Sequence, residues 1–284
     1  MAMRFEMVDV FANGGFSGNP VAVVLDADDI DPALFPQITR WFNLSETTFL
    51  LRPTHPDADY RARIFTLERE MPFAGHPTLG SCRAWLSTGG QPKRDGVVVQ
   101  ECGAGLVEIR QDAEDPACLS FKAPPLIRTG PVEAETLDRI VGQLQLDPAQ
   151  IVSASWADNG PGWVAILMDS AEAVLAVEPQ RHSPSRMDVG LVGPHSEGGE
   201  VGFELRAFFT DAFGAVVEDP VTGSLNASVA QWLRSSGRVS SGYRAAQGTR
   251  IGREGRVDIE YAGDDTWVGG QVRTMFTGHS ADWG

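Results

Sequence analysis

The chain is poor in positive charge, cysteine, histidine and long apolar runs, and each shortage excludes something. Lysine and arginine number 23 against 38 aspartates and glutamates, a formal net charge of −15 over 284 residues. Nucleic acids and anionic membranes select basic surfaces, so neither is expected as a partner. The three cysteines, Cys82, Cys102 and Cys118, cannot all pair and match no zinc spacing, which points to a reduced, cytoplasmic setting. The five histidines are scattered and no H-E-x-x-H is present, so no metal site is expected. The longest early apolar run, residues 21–25, is far too short for a membrane span or a secretory segment. Cys102-Gly103-Ala104-Gly105 lacks the third glycine of a dinucleotide loop and leads into a strand-like stretch, so no cofactor is expected there or elsewhere.

What is present is 42% hydrophobic residues and enough length for two domains with real cores. The organising feature is a repeat. Glu70-Met71-Pro72-Phe73-Ala74-Gly75-His76-Pro77-Thr78-Leu79-Gly80 runs into a helix-like stretch at 81–86. Glu218-Asp219-Pro220-Val221-Thr222-Gly223-Ser224, followed by a second such stretch at 225–233, answers it. Glu70 to Glu218, Pro72 to Pro220 and Gly75 to Gly223 are each 148 apart. Upstream, Arg63-Ile64-Phe65-Thr66 matches Ala207-Phe208-Phe209-Thr210 at 144, which leaves four extra residues in the second copy. The order strand, loop, apolar helix thus occurs twice, as expected of one domain duplicated with a site between the halves. The halves are residues 1–116 plus 271–284, and residues 117–270.

Residue patterns place strands at 5–11, 21–25, 43–51, 61–66, 97–101, 106–110, 119–122, 163–168 and 202–210. Asp31-Pro32 starts a helix toward Phe42, and residues 133–144 carry Leu137, Ile140, Val141 and Leu144 on one face. Residues 181–188 read as a loop or short helix and 251–257 as a hairpin. A last strand within 266–276 could return to the first domain and close it. The two repeat helices are apolar on nearly every side, so each is expected inside a curled antiparallel sheet. Their N-termini would open at the domain edge, where amide groups and the positive dipole end bind anions such as carboxylates.

Gly18-Asn19-Pro20-Val21-Ala22-Val23, Ser45-Glu46-Thr47-Thr48-Phe49, Phe73-Ala74-Gly75-His76-Pro77-Thr78 and the Glu218–Ser224 stretch stand in this order along the chain, with Gln247-Gly248 near the end. Together they resemble the signatures of the PhzF-like (phenazine biosynthesis) isomerase family. The resemblance implies an α+β fold of the diaminopimelate epimerase type: two pseudo-symmetric domains, each a barrel-like antiparallel sheet wrapped around a central helix. It also implies cofactor-free isomerisation of a small carboxylic acid, usually by a homodimer. Position by position, Glu46 matches the proton-shuttling acid/base, and His76, Asp219 and Ser224 match polar residues around the substrate. Gly75 and Gly223 match positions whose amides bind the carboxylate, with Ser45 and Thr222 beside them as further binding residues.

These residue types suit the chemistry in their own right. Moving a hydrogen along an unsaturated acid needs one group that gives and takes a proton, which a carboxyl with a raised pKa can do. Developing negative charge needs fixed donors, which helix N-termini provide. Related epimerases and racemases carry a cysteine at each helix start, where this chain has His76 and Ser224; Cys82 lies deeper and is expected to pack. Two other classes stay open at this point. Ser224, His76 and Asp219 could serve a serine-type hydrolase, although no G-x-S-x-G elbow is present. Asp219 and Ser224 could also simply cap the second helix in a non-catalytic small-acid-binding protein.

Overall fold

The computed structural model describes residues 2–281; residue 1 and residues 282–284, the end of the expected C-terminal piece, lie outside the described residues. The chain divides into a first unit, residues up to Lys122 with those from Gly269 onward, and a second, Ala123–Val268. The first contains β1 (Arg4–Ala12), β2 (Asn19–Val24), α1 (Phe35–Phe42), β3 (Glu46–Leu51), β4 (Tyr60–Thr66), β5 (Glu70–Met71), α2 (Gly75–Ser87), β6 (Val97–Cys102), β7 (Gly105–Gln111) and β8 (Cys118–Lys122). The second contains β9 (Arg128–Gly130), α3 (Ala134–Leu144), β10 (Ile151–Asp158), β11 (Val164–Met168), α4 (Ala171–Ala176), β12 (Asp188–Pro194), β13 (Phe203–Thr210), β14 (Val216–Asp219), α5 (Gly223–Ser235), β15 (Tyr243–Gln247) and β16 (Gly255–Ala262). The long strand β17 (Asp265–His279) begins in the second unit and ends in the first.

In the first unit the strands close on themselves. β1 pairs with β2, β2 with β3, β3 with β4, β4 with β6, β6 with β7 and β7 with β8; β17 then joins β8 to β1. Inside this ring α2 packs on β1, β2, β3, β4, β6 and β8, which explains a helix with buried residues on all sides over its first two turns. The sheet is mixed, not antiparallel as expected. β2 and β3 run parallel, as do β4 and β6, because α1 and α2 lie between them in sequence and a helical crossover returns the chain in the same direction.

The second unit repeats that order of pairings. β10–β11 is antiparallel, β11–β12 parallel across α4, β12–β13 antiparallel, β13–β15 parallel across α5, and β15–β16 antiparallel. Three expectations need correction here. Residues 118–122 belong to the first unit, because Ile109, Arg110 and Gln111 pair with Phe121, Ser120 and Leu119; the boundary therefore falls at Lys122/Ala123 and, on return, at Val268/Gly269. The hairpin expected at 251–257 lies earlier, between β15 and β16. Its connection contains a 3-10 turn, Thr249–Ile251, flanked by Gly248 and Gly252 at φ 90° and 73°, where glycine escapes the left-handed penalty. Phe65 stands opposite Glu70 and Phe208 opposite Glu218, so the strands align at an offset of 208 − 65 = 143, leaving five extra residues in the second copy.

The central helix of the first unit owes its fit to Gly80. A methyl group there would lie 2.3 Å from Val21 Cγ1, and the stiff β-branched valine cannot give way cheaply. Gly80→Ala is expected to destabilise the protein by about 1–3 kcal/mol through overpacking. Gly142, exposed in α3 with nothing near its missing Cβ, makes the control. Gly142→Ala should stabilise by about 0.5–1 kcal/mol, since glycine loses most freedom in a helix. Opposite shifts in urea midpoint check the pair, and a tolerated Gly80→Ala would contradict the packing described.

Candidate active site

In the first unit the expected residues converge. Glu46 opens β3, where Asn43 at φ 54° ends α1 and turns the chain into the strand. Gly75 starts α2 from an extended Ala74, and no side chain caps that end. His76, the second residue of the helix, points Nε2 at Glu46 Oε2, 3.5 Å away. Both side chains lie inside, at 5% and 18% exposure. Burial pushes the Glu46 carboxyl from its ordinary 4.5 up to about 7, and the neighbouring Ser45 hydroxyl only partly offsets it. A carboxyl held near neutrality can both accept and return a proton in water at working pH.

That shift has a consequence for stability. Between 4.5 and about 7 the unfolded chain has released the Glu46 proton while the folded protein still holds it. The native state binds more protons there, so this group's contribution falls as pH rises through the window. Glu46→Gln removes the titration, and its stability relative to wild type should therefore climb from pH 4.5 to above 7. Urea unfolding of both proteins across that range measures the difference; a constant difference would contradict the shift.

In the second unit the helix end is built differently. Gly223 starts α5 after Thr222, whose own side chain does not cap the helix. The Asp219 carboxylate instead accepts a short hydrogen bond from the Thr222 hydroxyl. The Ser224 hydroxyl accepts the indole N–H of Trp163 at 3.0 Å, and its carbonyl accepts Asn159 Nδ2 at 2.9 Å. The loop before the helix is held by the fully buried Gln247. Its Oε1 accepts from Thr222 N at 3.1 Å and Asn226 Nδ2 at 2.9 Å, while its Nε2 donates to Asp219 O and Thr222 Oγ1.

Asn19, Trp163 and Gln247 were not among the expected site residues, although Asn19 and Gln247 sit in the quoted motifs. The first unit also has a buried amide near its helix start, Gln100. Equally buried, it donates to Thr78 Oγ1 at 2.9 Å and accepts from Tyr60 OH at 3.0 Å. An amide inside each apolar sheet beside each helix start was the available signal. Cys82 is fully buried and its thiol is pushed well up by burial, so it packs, as expected, and does not ionise. Among the described residues no group of three or more His, Cys, Asp or Glu side chains could hold a metal ion, and no helix is long and apolar enough to cross a membrane.

Residues 8–281 match the family described as phenazine biosynthesis-like protein, PhzC-PhzF. The chain belongs to this family. It is 37% identical to "Antisense-enhancing sequence 1" of Schizosaccharomyces pombe, over 97% of this chain and 98% of that one. It is 32% identical to the trans-2,3-dihydro-3-hydroxyanthranilate isomerase of Pseudomonas aeruginosa, over 89% and 88% of the two chains. A solved structure, the PhzF-family phenazine biosynthesis protein of Bacillus anthracis, superposes with a TM-score of 0.81 over 99% of this chain and all of that one at 18% identity, a likeness of fold. The PhzF-family chain is thus an isomerase with a mixed α+β barrel fold.

Proposed function

We propose that the protein is a cofactor-independent isomerase that moves a proton within a small carboxylic acid, with Glu46 as the acid/base. The observation that carries this is the Glu46 carboxyl, buried, held near neutrality and facing His76 at the start of an apolar helix. In the reaction the Glu46 carboxylate takes a proton from a saturated carbon. The freed C–H electron pair forms a new double bond and the old double-bond pair shifts to the far carbon. That carbon then takes the proton back from the Glu46 carboxyl, so atoms and electrons balance without an external acceptor.

The amides of Gly75 and Gly223, with Ser45 and Thr222, are assigned to substrate binding, while His76, Asp219 and Ser224 hold polar groups of the substrate. Helix starts without side-chain caps suit a carboxylate. The shared order of strand pairings supports one domain duplicated, of the diaminopimelate epimerase type. The Pseudomonas aeruginosa relative acts on a small cyclic acid of this class, and an acid of that kind is the substrate proposed here. A cytoplasmic homodimer completes the proposal.

A hydrolytic role for Ser224 fits less well. A nucleophilic serine must donate its proton to a base. Here the Ser224 hydroxyl receives the Trp163 N–H, Asp219 receives the Thr222 hydroxyl, and His76 faces Glu46. Deuterium wash-in from D2O over a panel of small unsaturated and amino acids tests the proposal. Incorporation into one acid with no bond cleavage is expected; hydrolysis products without incorporation would overturn it.

A further inference from the structure

Asn19 belongs to the first of the sequence motifs but has no part in the chemistry so far. It opens β2 opposite Val10, is 1% exposed, and places Nδ2 3.4 Å from Nδ1 of the equally buried His76. The turn that delivers it is clipped by another buried side chain. Asp9 accepts the backbone N–H of Ser17 at 2.9 Å and of Gly18 at 2.8 Å. Only glycine fits at position 18, where a Cβ would lie 2.1 Å from Val10 O.

The two ring nitrogens of His76 therefore see opposite partners. An amide nitrogen carries hydrogens and can only donate, so Nδ1 must accept. On the other side Nε2 faces a carboxyl oxygen of Glu46 at 3.5 Å, and above about pH 7, once ionised, that carboxylate only accepts. One neutral form of the ring, with its proton on Nε2, suits both neighbours. The opposite tautomer sets hydrogen against hydrogen at Nδ1 and lone pair against lone pair at Nε2.

We infer that Asn19 is a positioning residue that holds His76 in its Nε2-protonated tautomer, aimed at Glu46. The second unit repeats the device with different chemistry. The Asp158 carboxylate accepts the N–H groups of Gly160 and Gly162, both at 2.7 Å. The next residue, Trp163, donates to the second residue of α5, Ser224. Each central helix thus has its second side chain oriented by a polar group that follows an aspartate-clipped turn.

The inference rests on the Glu46 acid/base reading only for its effect on rate, so the test has two arms. The first needs no substrate. In the intact protein labelled with ¹⁵N-histidine, long-range ¹H–¹⁵N correlation reports which nitrogen of His76 is protonated, the signals being assigned by their loss in His76→Gln. Above about pH 7 wild type should show a bare Nδ1 and a protonated Nε2, and Asn19→Asp, which puts an acceptor beside Nδ1, should place a proton on Nδ1. In the second arm, Asn19→Leu should lower kcat by about tenfold with KM little changed, the scale of one lost hydrogen bond. A wild-type ring protonated on Nδ1, or on both nitrogens, overturns the inference even if neither variant folds. So does an Asn19→Asp spectrum identical to wild type. A fully active Glu46→Gln would instead sink the acid/base reading and leave the tautomer result standing.

Discussion

Glu46→Gln is expected to bind substrate almost normally and to turn it over about 10²- to 10⁴-fold more slowly, the usual cost of a removed general acid/base. Glutamine keeps the shape of the side chain and its hydrogen-bonding capacity toward His76 and Ser45, but it cannot shuttle a proton. The loss should fall in kcat, because the interaction removed is made in the transition state. Wild-type kcat/KM should rise with pH through the Glu46 ionisation near 7, since the carboxylate must first accept a proton. The variant's residual rate should lack that limb. Ser224→Ala removes an acceptor for the Trp163 indole and should weaken substrate positioning with a smaller rate loss. A serine hydrolase predicts the reverse ranking, with Ser224→Ala inactive and Glu46→Gln nearly intact. Measuring both variants on one substrate separates the classes, and a fully active Glu46→Gln would end the isomerase mechanism proposed here.

Legibility differed by the range of the interaction. The starts of α2 and α5 were readable because each combines a local break, proline then glycine and a polar residue, with a helix lacking a charged face. Glu46 and His76 were readable as motif members, but their approach was not, since it depends on how β3 and α2 meet inside the ring of strands. β12 was hidden by its own glycines. Gly190 and Gly193 interrupt its apolar pattern, yet a Cβ at Gly190 would lie 2.2 Å from Leu225 Cδ1 and at Gly193 2.1 Å from Ser170 O. They are strand positions emptied so that α5 and α4 can approach. The one-residue slip in aligning Arg63 with position 207 has a similar cause. Local similarity could not see that Arg63 pairs with Glu70 as Arg206 pairs with Glu218.

That repeated pair leads to a large expected effect on stability, different in the two copies. Arg206 donates to Glu218 through Nε at 3.0 Å and Nη2 at 2.8 Å, and through Nη1 to the carbonyls of Val174 and Val177. Its side chain is 4% exposed and that of Glu218 10%. Glu218→Ala would leave a buried guanidinium without its counter-charge, and such losses cost about 3–5 kcal/mol. The Arg63–Glu70 pair has equally good geometry, two contacts of 2.7 Å, but its side chains are 31% and 43% exposed. Water and salt screen it, so Glu70→Ala should cost about 1 kcal/mol or less. Because the penalty at Glu218 comes from the stranded cation, Arg206→Met combined with Glu218→Leu should be more stable than Glu218→Ala alone. Glu218 immediately precedes Asp219 on β14, so the same single variant should also disturb the Asp219–Thr222 contact and weaken substrate binding. Urea unfolding of the four proteins, at low and high salt, decides the matter. Equal losses for Glu218→Ala and Glu70→Ala would show that burial does not set the strength of the pair.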